Sequence, residues 1–279
     1  MDDTAVQLDE QLPSDGTPEV SSGAQVTPGP AVEHHTSITE YFESLLVTVI
    51  LALFGTSFVV QAFKIPSASM EGTLLIGDHL LVNKFIFGGR DAWYEKFLPY
   101  RPLHRGDIIV FKYPYLDHPH YVKRVIGMPG DHLRLVDKQV YINGKLLDEP
   151  YVVRDDAVNY DPFNYSFPPS RDQMIPMNVI SEWRPQLRQY IQGQDIVVPQ
   201  GKYFAMGDNR DHSQDSRYWG FVDREAIMGR PFLIYWSVDA TSSDYAGDST
   251  FAQRLAGIFD TLFHLPARTR WHRMLHTVH

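Results

Sequence analysis

The run from Tyr41 to Phe63, YFESLLVTVILALFGTSFVVQAF, constrains this chain more than any other stretch, because no charge follows Glu43 until Lys64. About 20 apolar residues in a helix rise far enough to cross the hydrocarbon core of a bilayer. A buried soluble helix is the rival reading, but such helices are usually shorter. A cleaved leader fits less well, since leaders start with a short basic segment and the residues before Tyr41 are acidic. The run predicts one uncleaved membrane-spanning helix over residues 40–63, which makes membrane lipid a partner.

Charge is unevenly placed along the chain. Of 34 acids, nine lie in residues 1–43, where there is neither lysine nor arginine; the remaining 25 acids meet 25 bases. The net charge of −9 therefore belongs to the tail, and the balanced body gives no electrostatic reason for a nucleic-acid partner. Residues 1–39 are too polar to offset the entropy of ordering and are expected as a disordered acidic tail. Lys64, Lys84 and Arg90 follow the apolar run and no base precedes it. By the positive-inside rule this leans toward a cytoplasmic body. Without cysteine there can be no disulfide framework, thiolate metal site or cysteine nucleophile.

Beyond Lys64, short β-branched and aromatic runs alternate with turn residues: HLLVNKF, DIIVFKYP, HYVKRVIG, HLRLVDKQVYING, DIVVP, KYFAMGDN and RPFLIYWSV. Strands without long intervening helices predict a mainly antiparallel β body over residues 64–240. Asn143-Gly144 suits the two-residue turn of a hairpin. Residues 148–194, rich in Pro, Asn and Tyr, read as an insertion with a short helix over Ser181–Gln192. In the segment 241–279, Phe251, Leu255, Ile258, Phe259, Leu262 and Phe263 recur at helical spacing, predicting an amphipathic helix that packs on the body or lies on the membrane surface.

Two serines stand just after the apolar run, in IPSASMEGTLL. A serine hydroxyl is a weak nucleophile until a base takes its proton. Histidine is the commonest base, but no G-x-S-x-G elbow is present to expose a serine for it. A lysine serves equally if burial lowers its pKa toward neutrality. Lys123, set in a β-branched strand between Val122 and Arg124, is the kind of lysine to look for, but taken alone such a residue is more often exposed on its strand, and spacing does not pair it with a serine. His272 and His276 have the i, i+4 spacing of a metal pair, but no third ligand or H-E-x-x-H glutamate accompanies them. No glycine-rich phosphate loop is present. Neither a metal nor an organic cofactor is expected.

The blocks IPSASM, RGDIIVFKYP, YVKRVIGMPGD and GDNRDHSQDSRYWGFV occur in that order. Together they resemble bacterial type I signal peptidases, from about Phe63 to Trp236, with the 148–194 stretch the least alike. The resemblance implies a coiled antiparallel β-sheet catalytic domain behind a single membrane helix. It also implies a serine endopeptidase at the outer face of the bacterial cytoplasmic membrane, removing signal peptides from secretory preproteins after Ala-x-Ala sites. The charge pattern points the other way for orientation.

By the same resemblance, Ser69 matches the nucleophile and Lys123 the general base. Ser67 matches a side-chain oxyanion donor and Ser213 the hydroxyl that orients the lysine. Phe63, Ile65, Pro66, Met70, Leu74, Tyr121 and Val122 match the walls of shallow substrate pockets. Asp208, Arg210, Asp215 and Arg217 match a charged framework, in which Arg210 and Arg217 would neutralise the acids, since a lysine base needs its neighbouring carboxylates offset. One position departs from the family's Ser-Met-x-Pro-Thr: Gly72 replaces the proline and is expected to loosen the loop. Glu71 is expected to face solvent. Two rivals stand beside this reading: a self-cleaving repressor-like protease sharing the serine–lysine pair, and a membrane-anchored binding module with an inactive protease fold.

Overall fold

The computed structural model describes residues 38–55, 59–87, 100–115, 120–155, 161–242 and 267–279. The chain divides into two units, Met1–Val47 and Thr48–His279. Helix α1, Ile38–Phe54, has 17 residues and no buried side chain, and its apolar residues are exposed all round. Among the described residues no helix is long and apolar enough to cross a membrane. The predicted helix over 40–63 is too long at its C-terminal end: Val60–Lys64 is a strand, β1. Hydropathy alone does not distinguish a short apolar run in a strand from one in a helix, and here the β-branched Val59-Val60 and Phe63 mark the change.

The other strands are β2 (Asp78–Asn83), β3 (Ile108–Lys112), β4 (His120–Gly127), β5 (His132–Val136), β6 (Gln139–Ile142), β7 (Lys145–Leu146), β8 (Ile191–Gln192), β9 (Asp195–Val197), β10 (Lys202–Met206), β11 (Val222–Asp223), β12 (Ile227–Ser237) and β13 (His276–Thr277). The architecture is mainly β, as predicted. One antiparallel sheet runs β1-β2-β12-β3-β4-β10-β11, with β13 also on β12; a second runs β7-β6-β5-β9-β8. β12 is long enough to serve both β3, through Ile227 and Gly229, and β2, from Arg230 to Ser237, with register shifts at Ile227/Gly229, Pro231/Leu233 and Ile234/Trp236. Such bulges curl a sheet that would otherwise stay open.

The Asn143-Gly144 turn joins β6 to β7 with φ of 52° and 79°, the paired positive values of a type I′ hairpin. Asp137 and Lys138, at φ 49° and 66°, make a second such turn between β5 and β6 without the usual glycine.

The 148–194 stretch is more than an appendage. It carries short helices α2 (Pro162–Tyr165) and α3 (Arg184–Leu187), then the 3₁₀ turn Arg188–Tyr190 and β8. The helix expected over Ser181–Gln192 is thus short and ends before Ile191. Phe163, Phe167, Val179, Trp183 and Leu187 are buried in the main core with Phe111, Phe204 and Trp219. A smaller core of Ile65, Met70, Leu74, Leu80, Ile108, Ile234 and Val278 lies behind the Ser69 turn. The apolar repeat from Phe251 to Phe263 falls outside the described residues. Residues 267–279 return to the sheet through β13.

Candidate active site

β1 leads directly into the first half of the site. Ile65 keeps the pairing going, its N–H donating to Asp78 O at 2.9 Å. Pro66, which has no N–H to give, follows as the chain leaves the sheet. Ser67 is extended, and Ala68–Met70 then closes a single 3₁₀ turn with Ser69 at its centre. The loop after β10 fastens this turn. Asn209 N–H donates to Ser69 O at 3.2 Å, and Asn209 Nδ2 donates to Ala68 O at 3.2 Å.

β4 supplies the second half. It lies between β3 and β10, with Lys123 opposite Ile109. Lys123 is 4% exposed, and its Nζ donates to Ser69 Oγ at 2.6 Å and to Val122 O at 3.1 Å. Burial lowers the Lys123 pKa to about 8; Asp215 and Asp208 pull it up and Arg217 pulls it down. A lysine held there is substantially neutral at mildly alkaline pH and can accept a proton. Ser67 Oγ lies 3.4 Å from Ser69 Oγ.

Phe63, Ile65, Pro66, Met70, Tyr121 and Val122 line one cleft of about 310 Å³ together with Ser67, Ser69 and Lys123. Leu74 is the exception among the expected pocket residues. It is fully buried in the small core behind Met70, because the turn after Ser69 folds its side chain inward. His120, His212 and Gln214 also line the cleft, and none was expected there. His120 packs edge-on against Phe63, with ring centroids 5.3 Å apart.

The charged framework is built differently from its sequence expectation. Asp215 pairs with Arg217, whose Nε donates to Oδ1 at 2.8 Å. Burial would raise the Asp215 carboxyl, but the Arg217 guanidinium outweighs it and holds its pKa below the usual value. Asp208 is not held by Arg210. Arg124 donates to it from Nε at 2.9 Å and Nη2 at 2.7 Å, and Thr73 Oγ1 donates to it at 2.6 Å. Arg210 turns away to Glu149, donating to Oε2 at 3.0 Å and also to Oε1.

Three more expectations change. Ser213 is buried with its Oγ toward Asp215, whose carboxyl it helps to hold down, and no hydrogen bond joins it to Lys123; the side chain packs on Gly207, where an added Cβ would lie 2.4 Å from Oγ. Glu71 is half-buried rather than free in solvent, with Asn209 Nδ2 at 3.4 Å from its Oε2. Gly72 sits at φ +101°, a value closed to proline, and a Cβ there would lie 2.6 Å from Val153 Cγ2. Gly72 thus fits a left-handed turn and a close approach, rather than loosening the loop. Among the described residues no group of three or more His, Cys, Asp or Glu could hold a metal ion.

A serine hydroxyl on a buried lysine amine, at the floor of a largely apolar cleft, has the parts of a serine–lysine hydrolase. The family model and the curated relatives that match this chain are described as peptidases. The family described as signal peptidase, peptidase S26, matches residues 38–236. "Signal peptidase I" of Pseudomonas aeruginosa is 36% identical over 213 residues, covering 72% of this chain and 73% of that one. "Probable signal peptidase I-2" of Synechocystis is 34% identical, covering 71% and 73%. A crystal structure of a signal peptidase I from Enterococcus faecalis is 30% identical with a TM-score of 0.30, over 47% of this chain and 97% of that one. The chain belongs to the signal peptidase family, peptidase S26.

Proposed function

We propose that this chain removes signal peptides from exported preproteins, with Ser69 as nucleophile and Lys123 as general base. The observation that carries the assignment is the 2.6 Å contact between Lys123 Nζ and Ser69 Oγ, made by a lysine whose pKa burial lowers to about 8. With the amine neutral, the Ser69 hydroxyl gives its proton to Nζ as Oγ attacks the scissile carbonyl carbon. The carbonyl oxygen becomes an oxyanion, for which the Ser67 hydroxyl and the Ser69 N–H are donors. Preorganised donors of this kind are each worth about 10²–10³ in rate. Collapse breaks the C–N bond, and the Lys123 ammonium returns its proton to the departing amine. Water then attacks the acyl carbon while Lys123 takes its proton, and collapse breaks the ester C–Oγ bond as Lys123 returns that proton to Ser69 Oγ.

The cleft walls suit a substrate entering as an extended strand, and their limited volume suits small side chains of the Ala-x-Ala kind. Asp208, Arg210, Asp215 and Arg217 support the site from within the core, and Ser213 is the hydroxyl assigned to orient the lysine.

The apolar run is the anchor in this proposal. α1 exposes apolar side chains on every face, which suits a surrounding of lipid rather than water. The uncharged sequence continues beyond it to Phe63. Family membership favours a body on the outer face of the bacterial cytoplasmic membrane, against the lean of Lys64, Lys84 and Arg90. Protease added outside spheroplasts is expected to degrade the body; a protected body would refute the orientation.

Cleavage of a preprotein in detergent tests the chemistry. Wild-type protein is expected to release the mature product, and Ser69→Ala and Lys123→Ala to release none. Full activity in either variant would remove that residue from its role.

A further inference from the structure

A second cavity, of about 760 Å³, opens beside the second sheet and shares no residue with the catalytic cleft. Its volume falls in the range of about 300–1,000 Å³ that suits a small ligand. It lies where β5 changes partners. His132 and Leu133 pair with β9, whereas Leu135 is bridged to Phe167, whose N–H donates to Leu135 O at 3.0 Å. Residues 166–171 and the Gly193-Gln194 turn both line the opening. Leu135, Phe167, Pro168 and Pro169, all buried, make its walls largely apolar.

Two arginines give the cavity its charge. Arg188 Nη1 donates to Arg171 O at 2.8 Å and Nη2 to Gln173 O at 3.2 Å, so neutral carbonyls hold the guanidinium at the wall. Arg171 is exposed on the same wall. Among the described residues no carboxylate pairs with either arginine, and none lines the cavity. Arg134, the third lining arginine, is taken by Asp195, 3.5 Å from its Nη1.

We propose that this cavity binds the free carboxylate of a short apolar peptide, with the Arg188 guanidinium as its anchor. The site is separate from the peptidase centre and does not rest on that reading.

A guanidinium stays charged and presents five N–H donors in a planar fork that fits a carboxylate. The two bonds from Arg188 to carbonyls fix the group in place, so less side-chain freedom is lost when the remaining donors meet a ligand. Phosphate, the rival anion, is served by runs of free main-chain N–H groups. Here Pro168 and Pro169 have none. The N–H groups of Ser166, Phe167 and Ser170 are spent on Pro162 O, Leu135 O and the Gln173 side chain. A carboxylate needs only the fork. The apolar walls then receive the side chains beside it, and the lining amide of Gln194 suits a peptide bond.

The test titrates the full chain in detergent, at low salt, with N-acetyl-leucyl-phenylalanine, with its C-terminal amide and with phenyl phosphate, reading Kd by ligand-observed NMR. The free acid is expected to bind at least about tenfold more tightly than the amide, and more tightly than phenyl phosphate. Arg188→Gln is expected to erase the preference for acid over amide. Arg171→Glu, at an exposed side chain, is expected to weaken the acid about two- to fivefold with thermal unfolding unchanged. Lys123→Met, which removes the amine from the catalytic cleft, is expected to keep the preference. An acid no tighter than the amide, phenyl phosphate binding more tightly than the acid, a preference kept in Arg188→Gln, or one lost in Lys123→Met overturns the proposal. If Arg188→Gln does not fold, Arg171→Glu decides in its place, and unchanged acid affinity there overturns the proposal too. Preprotein cleavage enters none of these readings, so failure here is distinct from failure of the peptidase assignment.

Discussion

Arg124, the residue after Lys123 on β4, clamps Asp208 with two hydrogen bonds of 2.9 and 2.7 Å, and both side chains are almost fully buried. Successive residues of a strand face opposite sides. One face of β4 thus offers an amine to Ser69 while the other binds the carboxylate that opens the Asp208–Asp215 loop. The pairing also shapes the lysine: Asp208 is among the groups that pull the Lys123 pKa up.

Arg124→Ala leaves Asp208 buried and uncompensated. A loss of about 3–5 kcal/mol in folding stability is expected. Urea unfolding checks it; a change below 1 kcal/mol would mean the pair contributes little.

Lys123→Met removes a buried charge that the fold tolerates poorly. The folded-state pKa of about 8 lies below the ordinary 10.5, so between these values the unfolded chain binds the proton and the native chain does not. Stability of the wild type should therefore rise with pH through that window and be flat, in this respect, below it. At pH 7 the inactive Lys123→Met variant is expected to be more stable than wild type by up to about 3 kcal/mol. Thermal or urea unfolding from pH 7 to 10 reads both effects, and the gap between the two proteins should narrow with rising pH.

Gly207→Ala puts a Cβ 2.3 Å from Ser69 O and 2.4 Å from Ser213 Oγ. Backbone cannot yield as a flexible side chain does, so the Ser69 turn must shift. Displacements of about 1 Å at a reacting group cost on the order of 10² in rate. Kinetics should show kcat falling by about that factor while circular dichroism stays native-like.

Gly72→Pro restores the family residue and is expected to harm the protein. Proline fixes φ near −65°, whereas Gly72 adopts +101° beside Val153. Stability should fall by about 1–3 kcal/mol, with kcat/KM reduced as well. A neutral outcome would mean the loop can take the proline-compatible path.

Local signals made part of this legible from sequence. Asn143-Gly144 codes its own turn, since both residues tolerate positive φ, and the alternation of β-branched residues marked β3, β4 and β12. The order of the four blocks brought Ser69 and Lys123 together, which no spacing rule does across 54 residues. Partners of buried charges were not legible. Arg210 reaches Glu149 across 61 positions and Arg124 reaches Asp208 across 84, whereas sequence proximity pointed to Arg210 for Asp208. The end of α1 was hidden because Val60–Lys64 is as apolar in a strand as in a helix. His212 and Gln214 were missed as cleft residues although they flank Ser213, because the loop's path rather than its composition aims them there.

The most direct test of the serine–lysine pairing is the pH dependence of kcat/KM for a peptide substrate, because two histidines also line the cleft. If Lys123 is the base, the rate climbs with pH along a limb of apparent pKa about 8, the value burial gives this lysine, and Lys123→Ala has no measurable rate at any pH. A limb near the ordinary histidine value of about 6.5, with activity retained in Lys123→Ala and lost in His120→Ala or His212→Ala, would contradict it.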